Sequence, residues 1–358
     1  MSQEIKLKTI SVIGTVGVPA CYGGFESLVQ NLIDYQSDDI VYRVYCTSHA
    51  YEFKAKKYNS ADLVYVNIKA NGISSVLYDI TCLFHNLFRK TDVTLILGVS
   101  GCLFLPFYHL FSKSKIVTNI DGLEWKRNKW GKAARFFLKF SEKLAVKYSD
   151  VIIADNEAIG RYVKAEYGVA SEIIAYGGDH ALIKGLKPIP ASESYFLTVC
   201  RIEPENNVSM ILEAFSKTDK KIKFIGNWES SEFGKAQKEK YKKCPNIDLI
   251  DPIYDTEKLF ELRAGCIGYV HGHSAGGTNP SLVEAMHFGM PIYAFDCDFN
   301  RYSTENKAFY FKTDNELSDI ISSDLSKANT VRCGENMKEI AQRRYTWEVI
   351  CNKYQNLY

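Results

Sequence analysis

The sequence predicts an α/β fold of two parallel-sheet units, and three observations carry that reading. Its 358 residues exceed what one compact core ordinarily organises and suit two domains of common size. Short apolar runs rich in β-branched residues alternate with segments of helical period from one end to the other, the pattern of a parallel sheet wrapped by helices. The alternation stops over Gly185 to Ser194, where Pro188 and Pro190 read as a linker, and then resumes.

In the first half, strands are expected near 8–13, 41–46, 63–68, 93–97, 115–119 and 151–154. The helix after the first strand places Phe25, Leu28, Val29, Leu32 and Ile33 on one face. The second series has strands near 195–200, 222–226, 247–250, 265–270 and 291–295, with Val208, Ile211, Leu212 and Phe215 marking an amphipathic helix between the first two. The expected division is a Rossmann-like domain over 1–184 and a second over 195–344. A last helix over 345–358, with Trp347, Ile350 and Tyr354, is expected to cross back to the first domain.

Hydrophobic residues form 46% of the chain and charged residues 24%, so both halves can bury a core and no large disordered region is expected. A formal net charge of +2 argues against nucleic acid as a partner. Ten scattered cysteines without a CxxC pair or zinc-type spacing point to reduced thiols and a cytoplasmic address. The opening Met1 to Lys8 carries charges where an export signal would have its apolar core. The longest apolar stretch, Leu95 to Phe111, is broken by Gly98, Gly101, Pro106 and His109, short of the roughly 20 residues a membrane span needs. A soluble or peripheral chain is expected. Trp125 to Lys147 sets Lys126, Arg127, Lys129, Lys132, Arg135, Lys139, Lys143 and Lys147 against Glu142 alone, with Trp130, Phe136, Phe137, Phe140 and Leu144 interleaved. Such a basic amphipathic segment either lies on an anionic membrane surface or packs with a solvated basic side.

Three segments carry chemistry. The first strand runs into Gly14-Thr-Val-Gly17-Val-Pro19-Ala-Cys-Tyr22-Gly23-Gly24-Phe25-Glu26, a glycine-bearing turn whose backbone amides can receive phosphate or sugar oxygens at a helix start. Its spacing is not GxGxxG, which counts against a dinucleotide cofactor. The second segment, Tyr269 to Gly289, ends a buried strand in small residues; Thr278 or Asn279 can cap the next helix, Pro280 suits its first turn, and Glu284 lies where a carboxylate can hold ribose hydroxyls. The third is Arg201, whose fork emerges directly after the strand from Tyr195 to Cys200 and suits a diphosphate, against a plain pairing with Glu203 or Glu205. His271 and His273 lack a third metal ligand nearby, and Asp296-Cys-Asp298 resembles a metal-holding DxD pair in the wrong context. No metal or other cofactor is expected.

Taken together, the Gly23-Gly24-Phe25-Glu26 loop, Arg201-Ile-Glu-Pro-Glu205 and Gly277 through Glu284 resemble the retaining family-4 glycosyltransferases of GT-B fold along essentially the whole chain. The runs from Ile13 to Glu26, Asp121-Gly-Leu-Glu-Trp-Lys-Arg127, and His271 to Glu284 resemble in particular the bacterial β-1,4-rhamnosyltransferases of capsule and O-antigen synthesis. The resemblance implies two domains facing across a cleft, a nucleotide-diphosphate sugar donor on the second, and a lipid-linked glycan acceptor on the first. Carried over by position, Asp121, Arg201 and Glu284 take catalytic roles. Gly24, Arg201, Gly277, Thr278, Asn279, Ser281 and Glu284 bind the donor, and Tyr22, Gly23, Glu124 and Arg127 the acceptor.

The chain departs from the family at three places. Gly276 stands where the first of two paired glutamates falls, Asn206 stands five residues after the diphosphate arginine in place of a lysine, and Asp121 replaces a histidine. These departures read as a changed donor, dTDP-L-rhamnose, used at the inner face of the cell membrane. The alternatives are a UDP- or GDP-hexose donor, a nucleotide-sugar epimerase, or an inactive partner subunit.

Overall fold

The computed structural model describes residues 7–21, 23–126, 130–186, 193–323 and 327–358. It contains two compact units, Met1–Tyr176 with Trp347–Tyr358, and Gly177–Thr346.

The first unit is built on eight strands: β1 (Lys8–Ile13), β2 (Ile40–Thr47), β3 (Lys57–Tyr58), β4 (Ala61–Val66), β5 (Val93–Leu97), β6 (Lys115–Asn119), β7 (Val151–Ala154) and β8 (Glu172–Ile173). They lie in the order β3-β4-β2-β1-β5-β6-β7-β8, parallel except for the short β3, which returns antiparallel on β4. The order reverses between β1 and β5, where chains leave the sheet in opposite directions and open α/β folds take their ligands. All of β5 and the last four residues of β1 are buried, as strands covered on both faces must be. Leu28, Val29, Leu32 and Ile33, from the helix Gly24–Asp34, cover one face.

The second unit has six parallel strands: β9 (Phe196–Val199), β10 (Ile222–Ile225), β11 (Ile247–Ile250), β12 (Gly268–His271), β13 (Ile292–Phe295) and β14 (Phe309–Phe311). Their order, β11-β10-β9-β12-β13-β14, reverses between β9 and β12. The loops after these two strands therefore carry Arg201 and the run from Gly272 to Asn279. The short strands β3, β8 and β14 escape the sequence reading because two or three residues carry no period.

The division between the units differs from the expected 1–184 and 195–344. Residues from Gly177 onward belong to the second unit, because the Gly178 amide donates to the Tyr345 carbonyl at 2.7 Å and His180 reaches Glu284. Most of the expected linker, residues 187–192, lies outside the described residues. The closing helix Trp347–Gln355 belongs to the first unit, where Trp347, Ile350, Cys351 and Tyr354 join the core of Leu28 and Leu32. Polar contacts fasten it as well: Asn119 Nδ2 donates to the Tyr354 hydroxyl at 2.7 Å, and Lys115 Nζ to the Leu357 carbonyl at 2.8 Å. All ten cysteines are free thiols, and among the described residues no helix is long and apolar enough to cross a membrane.

Candidate active site

In the first unit the glycine-bearing loop is folded around one carboxylate. Gly14 turns at φ +95° where a Cβ would stand 2.1 Å from the Leu97 carbonyl oxygen, so only glycine fits between β1 and β5. Glu26, 4% exposed, sits in the first turn of the helix Gly24–Asp34 and reaches back. Its Oε1 accepts from the Thr15 hydroxyl at 2.8 Å and the Val16 amide at 2.7 Å, and its Oε2 accepts from the Gly23 amide at 2.8 Å. The Ala20 amide donates to Gln30 Oε1 at 2.9 Å. These amides, expected to receive ligand oxygens, are thus engaged within the chain. Gly23 precedes the helix and Gly24 is its first residue, beside the Tyr176 ring. Tyr22 and Arg127 lie outside the described residues.

Asp121 follows β6 in the left-handed region, φ +61°, a conformation aspartate tolerates better than most residues and one that recurs at functional sites. Its amide donates to Asn119 Oδ1 at 2.9 Å, and Asn119 is itself held by Tyr354, so the closing helix sets the backbone at Asp121. Burial, with the nearby charge of Asp121, raises the Tyr176 phenol well above its ordinary pKa. Glu124 accepts from the Trp130 indole at 3.1 Å. Next to it, buried Glu142 accepts from the Trp125 indole at 3.0 Å and from the hydroxyls of Tyr162 and Tyr167, each at 2.6 Å. Lys139 caps this cluster, within 4.6–5.0 Å of the ring centres of Trp125, Tyr162 and Tyr167 and 2.9 Å from Glu166. It is a packing lysine, a correction to its place in the expected membrane face; Lys129 lies outside the described residues.

In the second unit, Arg201 follows β9 with its side chain 62% exposed and a loose 3.7 Å pairing to Glu203. Asn206, buried, links two neighbours: its Nδ2 donates to the Arg201 carbonyl at 2.7 Å and its Oδ1 meets His273 Nδ1 at 2.8 Å. The first bond fixes the amide's orientation, so His273 Nδ1 carries the proton that reaches Oδ1. Gly276 turns at φ +114°, and a Cβ there would lie 3.2 Å from His273 Nε2. A glutamate at 276 would meet both backbone strain and the imidazole, and a lysine at 206 would lose both hydrogen bonds. The two departures from the expected pattern, at Asn206 and Gly276, are therefore one arrangement, joined by His273.

Glu284 is set between two cationic or titratable side chains. Its Oε2 is bound by Arg263 Nη2 and its Oε1 lies 3.2 Å from His180 Nε2. Burial raises its pKa, but the hydrogen bond from His180 and the charges of Arg263, His180 and His287 outweigh that and hold it below the usual carboxylate value. This position, expected to hold ribose hydroxyls and to take a catalytic role, is already bound to protein on both oxygens. Asn279 Oδ1 caps the helix Pro280–Met286, accepting from the Ser281 amide at 3.0 Å and its hydroxyl at 2.8 Å; both side chains expected on the donor are spent on the turn. Thr278 is buried and Gly277 half-buried in the same loop. His271 is buried with no partner for Nε2, and burial with the charge of His273 keeps its pKa well below the ordinary value. Asp296 is paired with Arg301 and, at 3.6 Å, Lys312, and its pKa is lowered chiefly by the Arg301 hydrogen bond. Among the described residues no group of three or more His, Cys, Asp or Glu is placed to hold a metal.

The partners of Glu26, His273 and Glu284 were not visible in the sequence. Asn206 and His273 are 67 positions apart, and Arg263 lies in an ordinary helix, Thr256–Gly265.

Residues 182–340 match the family model described as glycosyl transferases group 1, and residues 7–179 match one described as a domain of unknown function, DUF1972. No curated protein sequence matches the chain. Among solved structures, sucrose-phosphate synthase from Thermosynechococcus elongatus superposes with a TM-score of 0.82 at 14% identity, covering 98% of each chain. HepE from Anabaena in complex with UDP-glucose gives 0.73 at 12% identity, covering 98% of this chain and 99% of that one. The trehalose-6-phosphate synthase OtsA gives 0.75 at 9% identity and 98% of each. Residues 182–340 are thus similar to glycosyl transferases group 1, within a two-unit α/β chain that has the fold of GT-B glycosyltransferases.

Proposed function

We propose that this chain is a retaining glycosyltransferase that moves L-rhamnose from dTDP-rhamnose onto a lipid-linked oligosaccharide of a bacterial surface polysaccharide. The observation that carries the reading is the joined arrangement of Arg201, Asn206, His273 and Gly276 at the point where the second sheet reverses its strand order. An exposed arginine there suits a diphosphate, and HepE, of similar fold, was solved with UDP-glucose. The imidazole beside Gly276 gives the sugar pocket a shape without the carboxylate that hexose donors use, which agrees with a 6-deoxy sugar. The resemblance of the segments around Gly24, Asp121 and Thr278 to rhamnosyltransferases supports the donor and the acceptor.

In this reading Arg201 and the backbone around Thr278 stabilise the negative charge that grows on the departing diphosphate. The bond from the anomeric carbon to the diphosphate oxygen breaks as the acceptor oxygen bonds to the same face, and the acceptor proton passes to the leaving oxygen. Asp121 orients the acceptor hydroxyl, and Glu284 holds the ribose through the lone pairs that Arg263 and His180 leave open. Transfer is metal-independent; Asp296, the carboxylate closest to a metal-binding motif, is instead engaged by Arg301 and Lys312.

The test offers the purified chain a synthetic lipid-diphosphate glycan with dTDP-rhamnose, UDP-glucose and GDP-mannose in competition, with and without chelator. Transfer from dTDP-rhamnose that survives chelator and yields a β-rhamnoside, read from the anomeric carbon-proton coupling, is expected. Exclusive use of a hexose donor would overturn the donor, an α-product the retaining course, and donor conversion without acceptor would favour an epimerase.

A further inference from the structure

We infer that the helices Ser74–Asn86 and Leu105–Phe111, with the turn Cys102–Phe104 between them, form a face that seats on an anionic lipid bilayer. The inference deepens the proposed lipid-linked acceptor and rests on that reading for its purpose, while its evidence is separate.

Each helix already has a buried side. Tyr78, Asp79, Cys82, Leu83 and Asn86 turn inward on the first, and Leu105 and Tyr108 on the second. The outward side of a surface helix is ordinarily polar. Here it is apolar: Phe84, Phe88, Phe107, Leu110 and Phe111 are between 45% and 74% exposed. The rings are continuous, with centres 5.3 Å apart from Phe88 to Phe84, 6.4 Å from Phe84 to Phe104, 5.0 Å from Phe104 to Phe107, and 4.5 Å from Phe107 to Phe111. A connected aromatic strip of this kind marks an interaction surface, since lone exposed apolar residues are ordinary but contiguous ones are not.

Charge selects the occupant. From Ile73 to Ile120 the carboxylates are Asp79, which is buried, and Asp92, which is half-buried and accepts from the Thr9 amide at 2.8 Å. Arg89, Lys90 and Lys113 are exposed at the ends of the strip. The helix Lys132–Tyr148, which packs beside Leu105–Phe111, adds exposed Lys132, Lys143 and Lys147, and its one acid, Glu142, is buried. An apolar strip edged by cations and free of exposed acid complements acyl chains beneath lipid phosphates. It does not complement a second copy of itself, whose cations would face these.

The test is flotation of the whole chain with phosphatidylcholine vesicles that contain or lack phosphatidylglycerol. The wild type is expected to float with the anionic vesicles. Changing Phe84, Phe88, Phe107, Leu110 and Phe111 together to Ser is expected to weaken that binding at least tenfold with Tm and circular dichroism unchanged, since the replaced side chains are solvent-facing. Changing Arg89, Lys90 and Lys113 to Gln is expected to remove the preference for anionic over neutral vesicles. Undiminished binding of the folded serine variant would overturn the proposal, as would a wild type that ignores vesicles and forms a dimer which the serine variant dissolves. Vesicle binding by a chain that transfers no sugar, even to a water-soluble acceptor, would sink the enzymatic reading and leave this one standing.

Discussion

Each unit places a glutamate inside the helix that follows a glycine-bearing loop, and the two are satisfied in opposite ways. Glu26 is surrounded by neutral donors: two backbone amides and a threonine hydroxyl. Its task is complete within the protein, because it holds a loop that has no regular hydrogen bonds of its own. Glu284 is instead held by Arg263 and His180, ionisable groups on two other segments. A carboxylate bonded to backbone fixes a shape, whereas one bonded to charged side chains also fixes an electrostatic balance that a ligand or a proton can change. The difference separates a loop clamped by neutral donors from a helix carboxylate whose partners are themselves ionisable.

The comparison breaks most visibly at Glu26. Glu26→Ala leaves the Val16 amide and the Thr15 hydroxyl buried without a partner and frees the more exposed Gly23 amide, and a loss of about 3 kcal/mol is expected in urea unfolding of the first unit's signal. A loss under about 1 kcal/mol would mean that water replaces the carboxylate and that the loop is not clamped.

Arg263→Ala removes the cation from a half of the buried pair and is expected to cost about 3 kcal/mol. Adding Glu284→Leu should recover much of that stability while turnover stays abolished, which separates the structural from the ligand-facing part of Glu284. If the double variant is no more stable than the single one, the pair is not coupled as described.

Arg201→Ala sharpens the contrast from the other side. Its exposed pairing with Glu203 contributes little, so stability should change by less than about 0.5 kcal/mol. Turnover should fall by one to four decades, the equivalent of about 2–5 kcal/mol at a desolvated diphosphate. Near wild-type kinetics would displace the donor from this edge of the sheet.

The smallest effect is in acid. Because the folded pKa of Glu284 is lowered from the ordinary 4.5, its contribution is fully present above that value and disappears as pH falls through the folded one. Thermal melts between neutral pH and pH 3 should therefore show a shallower acid loss in Glu284→Gln than in the wild type, and equal slopes would remove the pair from the acid response.

Much of the fold was legible beforehand, because buried strands such as Val93–Leu97 and helix faces such as Leu28, Val29, Leu32 and Ile33 are periodic over short stretches. The site was legible as places rather than as contacts. Arg201 after a strand and Asn279 before a helix follow from local rules of sheet edge and cap. The roles of Asn206 and Gly276 were not, since one sequence shows that a lysine and a glutamate are missing but not what stands in their stead.

By itself the sequence determined two parallel-sheet units, the order of their elements and the positions of the small-residue loops, all of which depend on neighbours in the chain. The tertiary structure decided that the closing helix completes the first core, that His273 joins Asn206 to Gly276, that Arg263 and His180 hold Glu284, and that Lys139 packs among aromatic rings while Phe84, Phe88, Phe107, Leu110 and Phe111 face outward. The reason is physical: periodicity is a property of neighbouring residues, but whether a polar atom is satisfied, and whether an apolar side chain is covered, depends on segments that meet only after the sheet has folded.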